Sequence, residues 1–156
     1  MGIEEKMDNL GIRLPPRQND FGSVVMASRM GNIVFTCAQA PSEDGKTPYC
    51  LGIIGEEVSV EKAIKAARLC ALSAIASIRD LIGNLDLVKK VLRVSAFLQV
   101  AAGFHDQGQI MNAYSDTLTS IFGMRGKHTR TTVGIPTMIG NQSMEIELWV
   151  EVDESH

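Results

Sequence analysis

Residues 144–152, Met-Glu-Ile-Glu-Leu-Trp-Val-Glu-Val, alternate apolar and polar side chains without a break. A period of two belongs to a β-strand, with Met144, Ile146, Leu148, Val150 and Val152 on one face and Glu145, Glu147, Trp149 and Glu151 on the other. Shortly before it comes Arg130-Thr131-Thr132-Val133-Gly134-Ile135-Pro136. The two stretches read as neighbouring strands that set an arginine beside two carboxylates. An acidic face this regular either meets water or lines a shared cavity, and the choice decides the function.

Elsewhere the period changes. Val60, Ile64, Ala67, Ala71, Ala74, Ile78 and Leu81 recur in steps of three and four, which is one apolar stripe on a helix. Ser59 is placed to cap it, Glu61 suits its first-turn dipole, and Gly83 ends it. Val88 to Val100 predicts a long strand, with Leu92, Val94, Ala96, Leu98 and Val100 inward and Arg93, Ser95, Phe97 and Gln99 opposite. A second helix is expected from about Gln107 to Phe122, ending at Gly123. Near the start, Val24–Ser28 and Asn32–Gln39 flank Arg29-Met30-Gly31 as a hairpin, and 41–46 opens a turn-rich loop reaching about Gly55. The order β-β-α-β-α-β-β predicts an α+β sandwich, a mixed sheet with two helices packed on one face. Its other face carries Arg93, Ser95, Gln99, Glu145, Glu147 and Trp149, a half-polar surface of the kind that packs on another subunit.

Size and charge narrow the field. A chain of 156 residues is one domain, read as 21–156 behind an N-terminal arm at 1–20 that holds Pro15-Pro16. A net charge of −3 argues against nucleic acid as the main partner, because phosphate binding needs clustered Lys and Arg. Cys37, Cys50 and Cys70 are odd in number and lack a C-x-x-C, so neither a disulfide framework nor a zinc site is expected, and reduced thiols fit a cytoplasmic location. The first ten residues lack the apolar run of a secretory signal. The apolar stretch 66–82 is broken by Arg68, Arg79 and Asp80, so no membrane span is predicted.

Four segments resemble a known family. Gly31-Asn32-Ile33-Val34-Phe35-Thr36-Cys37-Ala38-Gln39-Ala40-Pro41 is similar to the glycine, apolar strand, Thr-Ser-Gly-Gln and proline pattern of the Rid proteins (reactive intermediate deaminases), also called the L-PSP endoribonuclease or translation-inhibitor family. Phe104 followed by Met111-Asn112-Ala113-Tyr114, then Arg130-Thr131-Thr132-Val133, then Glu145-Ile146-Glu147, resemble three further motifs in the same order. The likeness spans about residues 22–152 and points to a longer subgroup. It implies a chorismate-mutase-like α+β fold, a homotrimer with a cleft at each subunit boundary, and hydrolysis of enamine or imine carboxylates such as 2-aminoacrylate to 2-oxo acids and ammonia. No metal or organic cofactor is implied. By position, Arg130 holds the substrate carboxylate, Glu145 handles water and protons, and Asn112, Cys37 and Thr132 line the cleft. Val24 stands where many active members carry a tyrosine, Thr132 where cysteine is common, and Ala38 in place of a glycine.

The residues themselves leave plainer readings open. Arg130 makes either a two-pronged grip on a carboxylate or an ion pair with Glu145 or Glu147. The two acids belong either to a cleft or to a solvated sheet face. Asn112 reads equally as an exposed helix residue, and Cys37 as a small buried thiol rather than a nucleophile. His105 and His128 read as loop residues. The run 125–130 is a solvated basic loop, lacking the aromatic platform an RNA site needs. Two rivals to a deaminase remain: a non-catalytic binder of small carboxylate metabolites in the same cleft, favoured by Val24, and an endoribonuclease.

Overall fold

The computed structural model describes residues 1–154. The chain runs α1 (Ile3–Asn9), β1 (Ala27–Met30), β2 (Ile33–Thr36), α2 (Val60–Ile82), β3 (Val88–Gln99), α3 (Gln107–Phe122), β4 (Thr129–Ile135) and β5 (Met144–Val152), with three short 3-10 turns between. The five strands form one mixed sheet in the order β1-β2-β5-β3-β4. As predicted, the fold is α+β, with α2 and α3 packed together on the sheet.

The long helix follows its sequence signals closely. Ser59 accepts from the backbone N–H of Lys62, satisfying one of the donors a helix start leaves free, and Gly83 closes the end at φ 81°. Its buried side is broader than the predicted stripe: Ala63, Ala66, Cys70, Ser73, Ala76 and Ser77 join Ala67, Ala71, Ala74 and Ile78, while Leu81 turns outward. Nearly all of these are small, so the helix axis sits close to the sheet and to α3. Val94, Ala96 and Leu98 of β3 and the five apolar residues of β5 complete the core, each 0–1% exposed.

The expected register of β3 fails at its start. Irregularities between Val88 and Lys90 and between Val91 and Arg93 shift the alternation, so Val91 is buried and Leu92 is only half-buried. Gln99, expected on the open face, is buried. Its Oε1 accepts from the Met138 backbone N–H at 2.7 Å and its Nε2 donates to Asn141 Oδ1 at 2.9 Å, pinning the link from β4 to β5. In the hairpin the turn falls at Gly31-Asn32, one residue later than read, with Gly31 at φ 60°.

β4 and β5, expected to be neighbouring strands, are not adjacent in the sheet. β4 lies parallel to β3 on its outer side, because α3 carries the chain over the sheet between them, and β5 inserts on the other side of β3. Arg130 is therefore on the free edge strand, and β3 separates it from Glu145 and Glu147.

Residues 1–20, read as a surface arm, contain α1. Ile3 and Met7 enter the core, the Ile3 backbone N–H donates to Asp86 Oδ1 at 2.7 Å, and Arg17 pairs with Asp80 of α2 at 2.9 Å. Short helices of seven residues show little periodicity, which hid this one. Among the described residues no helix is long and apolar enough to cross a membrane.

Candidate functional site

Strand register fixes which side chains share a face. Val94 of β3 is opposite both Arg130 and Leu148, so Arg130 points to the helix side of the sheet. Phe97 is opposite both Val133 and Glu145, so Glu145 points to the open side. The predicted site residues thus fall into two groups. Arg130, Thr132 and Asn112 lie along the β4 edge under α3, while Glu145, Glu147 and Cys37 lie on the uncovered face.

In the first group, α3 presents Asn112 and Ser115, three residues apart and hence on one face of the helix. Arg130 Nη1 donates to Asn112 Oδ1 at 3.2 Å and to Ser115 Oγ at 3.0 Å. Both partners are neutral. Among the described residues Arg130 makes no ion pair, so the alternative of a strand-tying bridge to Glu145 or Glu147 does not hold. Thr132, two residues further along the same face, keeps a buried hydroxyl oxygen without a hydrogen-bond partner. His128, read from sequence as a loop residue, sits behind the arginine: Nδ1 is 2.7 Å from the Gly126 carbonyl and Nε2 is 2.9 Å from Ser115 Oγ.

Ser115 is absent from the predicted site residues, and His128 is expected only as a loop residue. The signal was there: Ser115 shares the helix face of Asn112, and His128 precedes Arg130 by two residues in extended chain.

In the second group, Phe35 and Trp149 stack with ring centroids 5.1 Å apart at 29°. A cavity of about 350 Å³ opens beside them, lined by Val25, Ser28, Thr36, Cys37 and Glu147. Phe97 and Val133 extend the apolar part of this face. Glu145 is half-buried, and desolvation raises its carboxyl pKa above the ordinary 4.5. Burial, then the nearby carboxylates of Glu145, Glu147 and Asp20, push the Cys37 thiol up, which keeps it protonated and poorly nucleophilic. Its Sγ rests 3.7 Å from Met26 Sδ. Val24 is partly exposed at the rim of the preceding turn, where it closes a small bridge to Phe21.

The run 125–130 does not form one basic surface. Arg125 donates to the Val88 carbonyl at 2.8 Å, and His128 and Arg130 turn toward α3. Among the described residues, no three His, Cys, Asp or Glu side chains gather as a metal site would require.

This geometry accompanies a clear kinship. A family model described as "YjgF/chorismate mutase-like, putative endoribonuclease" matches residues 4–152. The chain belongs to that family, the one its four sequence segments resemble. Protein TCP17 of Trypanosoma cruzi is 28% identical over 97% of this chain and 94% of its own length. A crystal structure from Shewanella oneidensis MR-1, bearing the same endoribonuclease description, superposes with a TM-score of 0.91 at 28% identity, covering 97% of this chain and all of the other. The Escherichia coli protein TdcF, solved with bound serine, shares the fold at 20% identity and a TM-score of 0.60, over 90% of this chain and 94% of its own.

Proposed function

We propose that this protein hydrolyses small enamine or imine carboxylates, such as 2-aminoacrylate, to 2-oxo acids and ammonia, in clefts formed between the subunits of a homotrimer. The observation that carries the reading is Arg130: a cation on an edge strand, held by two neutral side chains and matched by no carboxylate among the described residues. Both Nη1 hydrogens are engaged, which leaves the Nε–Nη2 edge with two parallel N–H donors. That fork fits a carboxylate. The bound serine of TdcF, also an amino-acid carboxylate, is in keeping with such a ligand.

Opposite faces of one sheet cannot supply Arg130 and Glu145 to one small molecule. A second chain can, by laying its open face against the β4 edge of the first. An enamine such as 2-aminoacrylate first moves a proton from nitrogen to its terminal carbon, giving the imine. In such a cleft Arg130 of one protomer orients the imine carbon, and Glu145 of the next takes a proton from the attacking water. Glu145 hands that proton to the imine nitrogen, giving the tetrahedral carbinolamine. It then takes the carbinolamine hydroxyl proton and delivers it to the amino nitrogen as the C–N bond breaks, releasing ammonia and the 2-oxo acid. General acid–base help of this kind is worth about 10²–10⁴ in rate. A carboxyl whose pKa is raised toward neutrality is better suited to accept and return that proton. Asn112 holds the arginine, while Cys37 and Thr132 line the two walls.

Purified protein coupled to a dehydratase that generates 2-aminoacrylate provides the test. Faster 2-oxo acid formation than in buffer, lost in Arg130→Ala, is expected. Equal rates with wild type, variant and buffer would sink the proposal. One feature favours a second reading, a non-catalytic binder: Val24 offers no hydroxyl at the rim. A carboxylate that raises the melting temperature of wild type but not of Arg130→Ala, without turnover, selects it.

A further inference from the structure

The chain from Gly126 through His128 and Ser115 to Arg130 has a defined direction. A carbonyl oxygen only accepts, so the proton shared with Gly126 sits on His128 Nδ1. In the neutral ring Nε2 is then an acceptor, and the Ser115 hydroxyl donates to it. With its hydrogen committed there, Ser115 Oγ turns its lone pairs to Arg130 Nη1. A serine inside a helix otherwise tends to donate to the carbonyl four residues back, and His128 competes with that habit.

We propose that Ser115 and His128 are positioning residues for Arg130: together they lock the guanidinium plane so that its Nε–Nη2 edge faces the cleft ready for a carboxylate. This rests on the reading of Arg130 as the anion anchor. Neither residue touches the ligand. Asn112 alone leaves Nη1 one fixed contact, about which the group swings. Two contacts from adjacent turns of α3 define a plane. Loss of Ser115 Oγ, or of the Nε2 acceptor that orients it, returns the entropy of a mobile arginine to the free protein and weakens every ligand that needs the fork.

The experiment measures 2-oxobutyrate binding by calorimetry for wild type, Arg130→Ala, Ser115→Ala, His128→Ala and His128→Gln, with melting temperatures to confirm folding. Ordering one rotamer-rich side chain predicts an affinity loss of about 3- to 10-fold in Ser115→Ala and His128→Ala, against about 100-fold or more in Arg130→Ala. Glutamine places an acceptor near the position of Nε2, so His128→Gln should bind within about 2-fold of wild type. A purely structural role for the histidine predicts no such rescue. Wild-type affinity in Ser115→Ala and His128→Ala, with Arg130→Ala still defective, overturns the lock alone. His128→Gln as weak as His128→Ala also overturns it. Absence of binding by folded wild type overturns the anchor and the lock together. Should His128→Ala not fold, Ser115→Ala and the glutamine variant still decide the matter.

Discussion

Arg130 and Glu145 point out of opposite faces of the same sheet, with β3 running between their strands. Two strand spacings and three residues of offset put their Cα atoms more than about 10 Å apart, before the sheet itself is counted. A reaction needing both must draw them from different chains. Arg130→Ala and Glu145→Gln should each be inactive alone. Dissociated, mixed and reassembled, they should recover activity in roughly a quarter of clefts by random pairing. Failure of the mixed oligomer to turn over 2-aminoacrylate would remove the shared cleft.

Glu145 links stability to pH. Its folded pKa is raised by desolvation, so the fold favours the neutral carboxyl. Below the unfolded value near 4.5 the charge is absent in both states and imposes no penalty. As pH rises from there through the higher folded pKa, the native state holds the extra proton and stability falls. Glu145→Gln should therefore gain on wild type in urea denaturation between pH 4 and about 7. A gain that is the same at both ends of the range would contradict desolvation as the cause.

At the start of α2, Ser59 accepts from the Lys62 N–H at 3.1 Å. Ser59→Ala should lower unfolding stability by about 1 kcal/mol, and Ser59→Asp should retain most of it. Thermal or chemical denaturation of the three proteins reads this directly. An alanine variant as stable as wild type would mean that the exposed cap is replaced by water at no cost.

Gly126 and Gly83 make an instructive pair. A Cβ at Gly126 would lie 2.5 Å from the Leu118 carbonyl oxygen, on backbone that cannot swing away, and the same glycine carries the carbonyl that orients His128. A Cβ at Gly83 meets nothing within 4 Å, and only the positive φ opposes it. Gly83→Ala should cost about 1 kcal/mol, and Gly126→Ala about 3 kcal/mol or more, with weakened 2-oxobutyrate binding in whatever folds. Equal costs would show that α3 yields to the methyl group.

The parts of this fold legible in the sequence are those set by local chemistry. The strict alternation of 144–152 fixed the inward and outward sides of β5, and Ser59, Gly83 and the spacing between them fixed α2 to the residue. Such signals survive because one chain segment contains all the atoms that produce them. The bulges of β3 did not show, since a shift of register costs little where Lys89 and Lys90 are both solvated. The helix at Ile3–Asn9 did not show either, since its two buried residues acquire meaning only against a core assembled later in the chain.

For the site, the sequence by itself supplied the chemical groups: an arginine before a β run, an asparagine on a helix, acids on an alternating strand. Tertiary structure decided which of them meet. The crossover through α3 placed β4 outside β3, sending Arg130 to Asn112, Ser115 and His128 and away from Glu145. Strand order is a property of long-range pairing, governed by crossover handedness and by which faces need covering, and no local pattern encodes it.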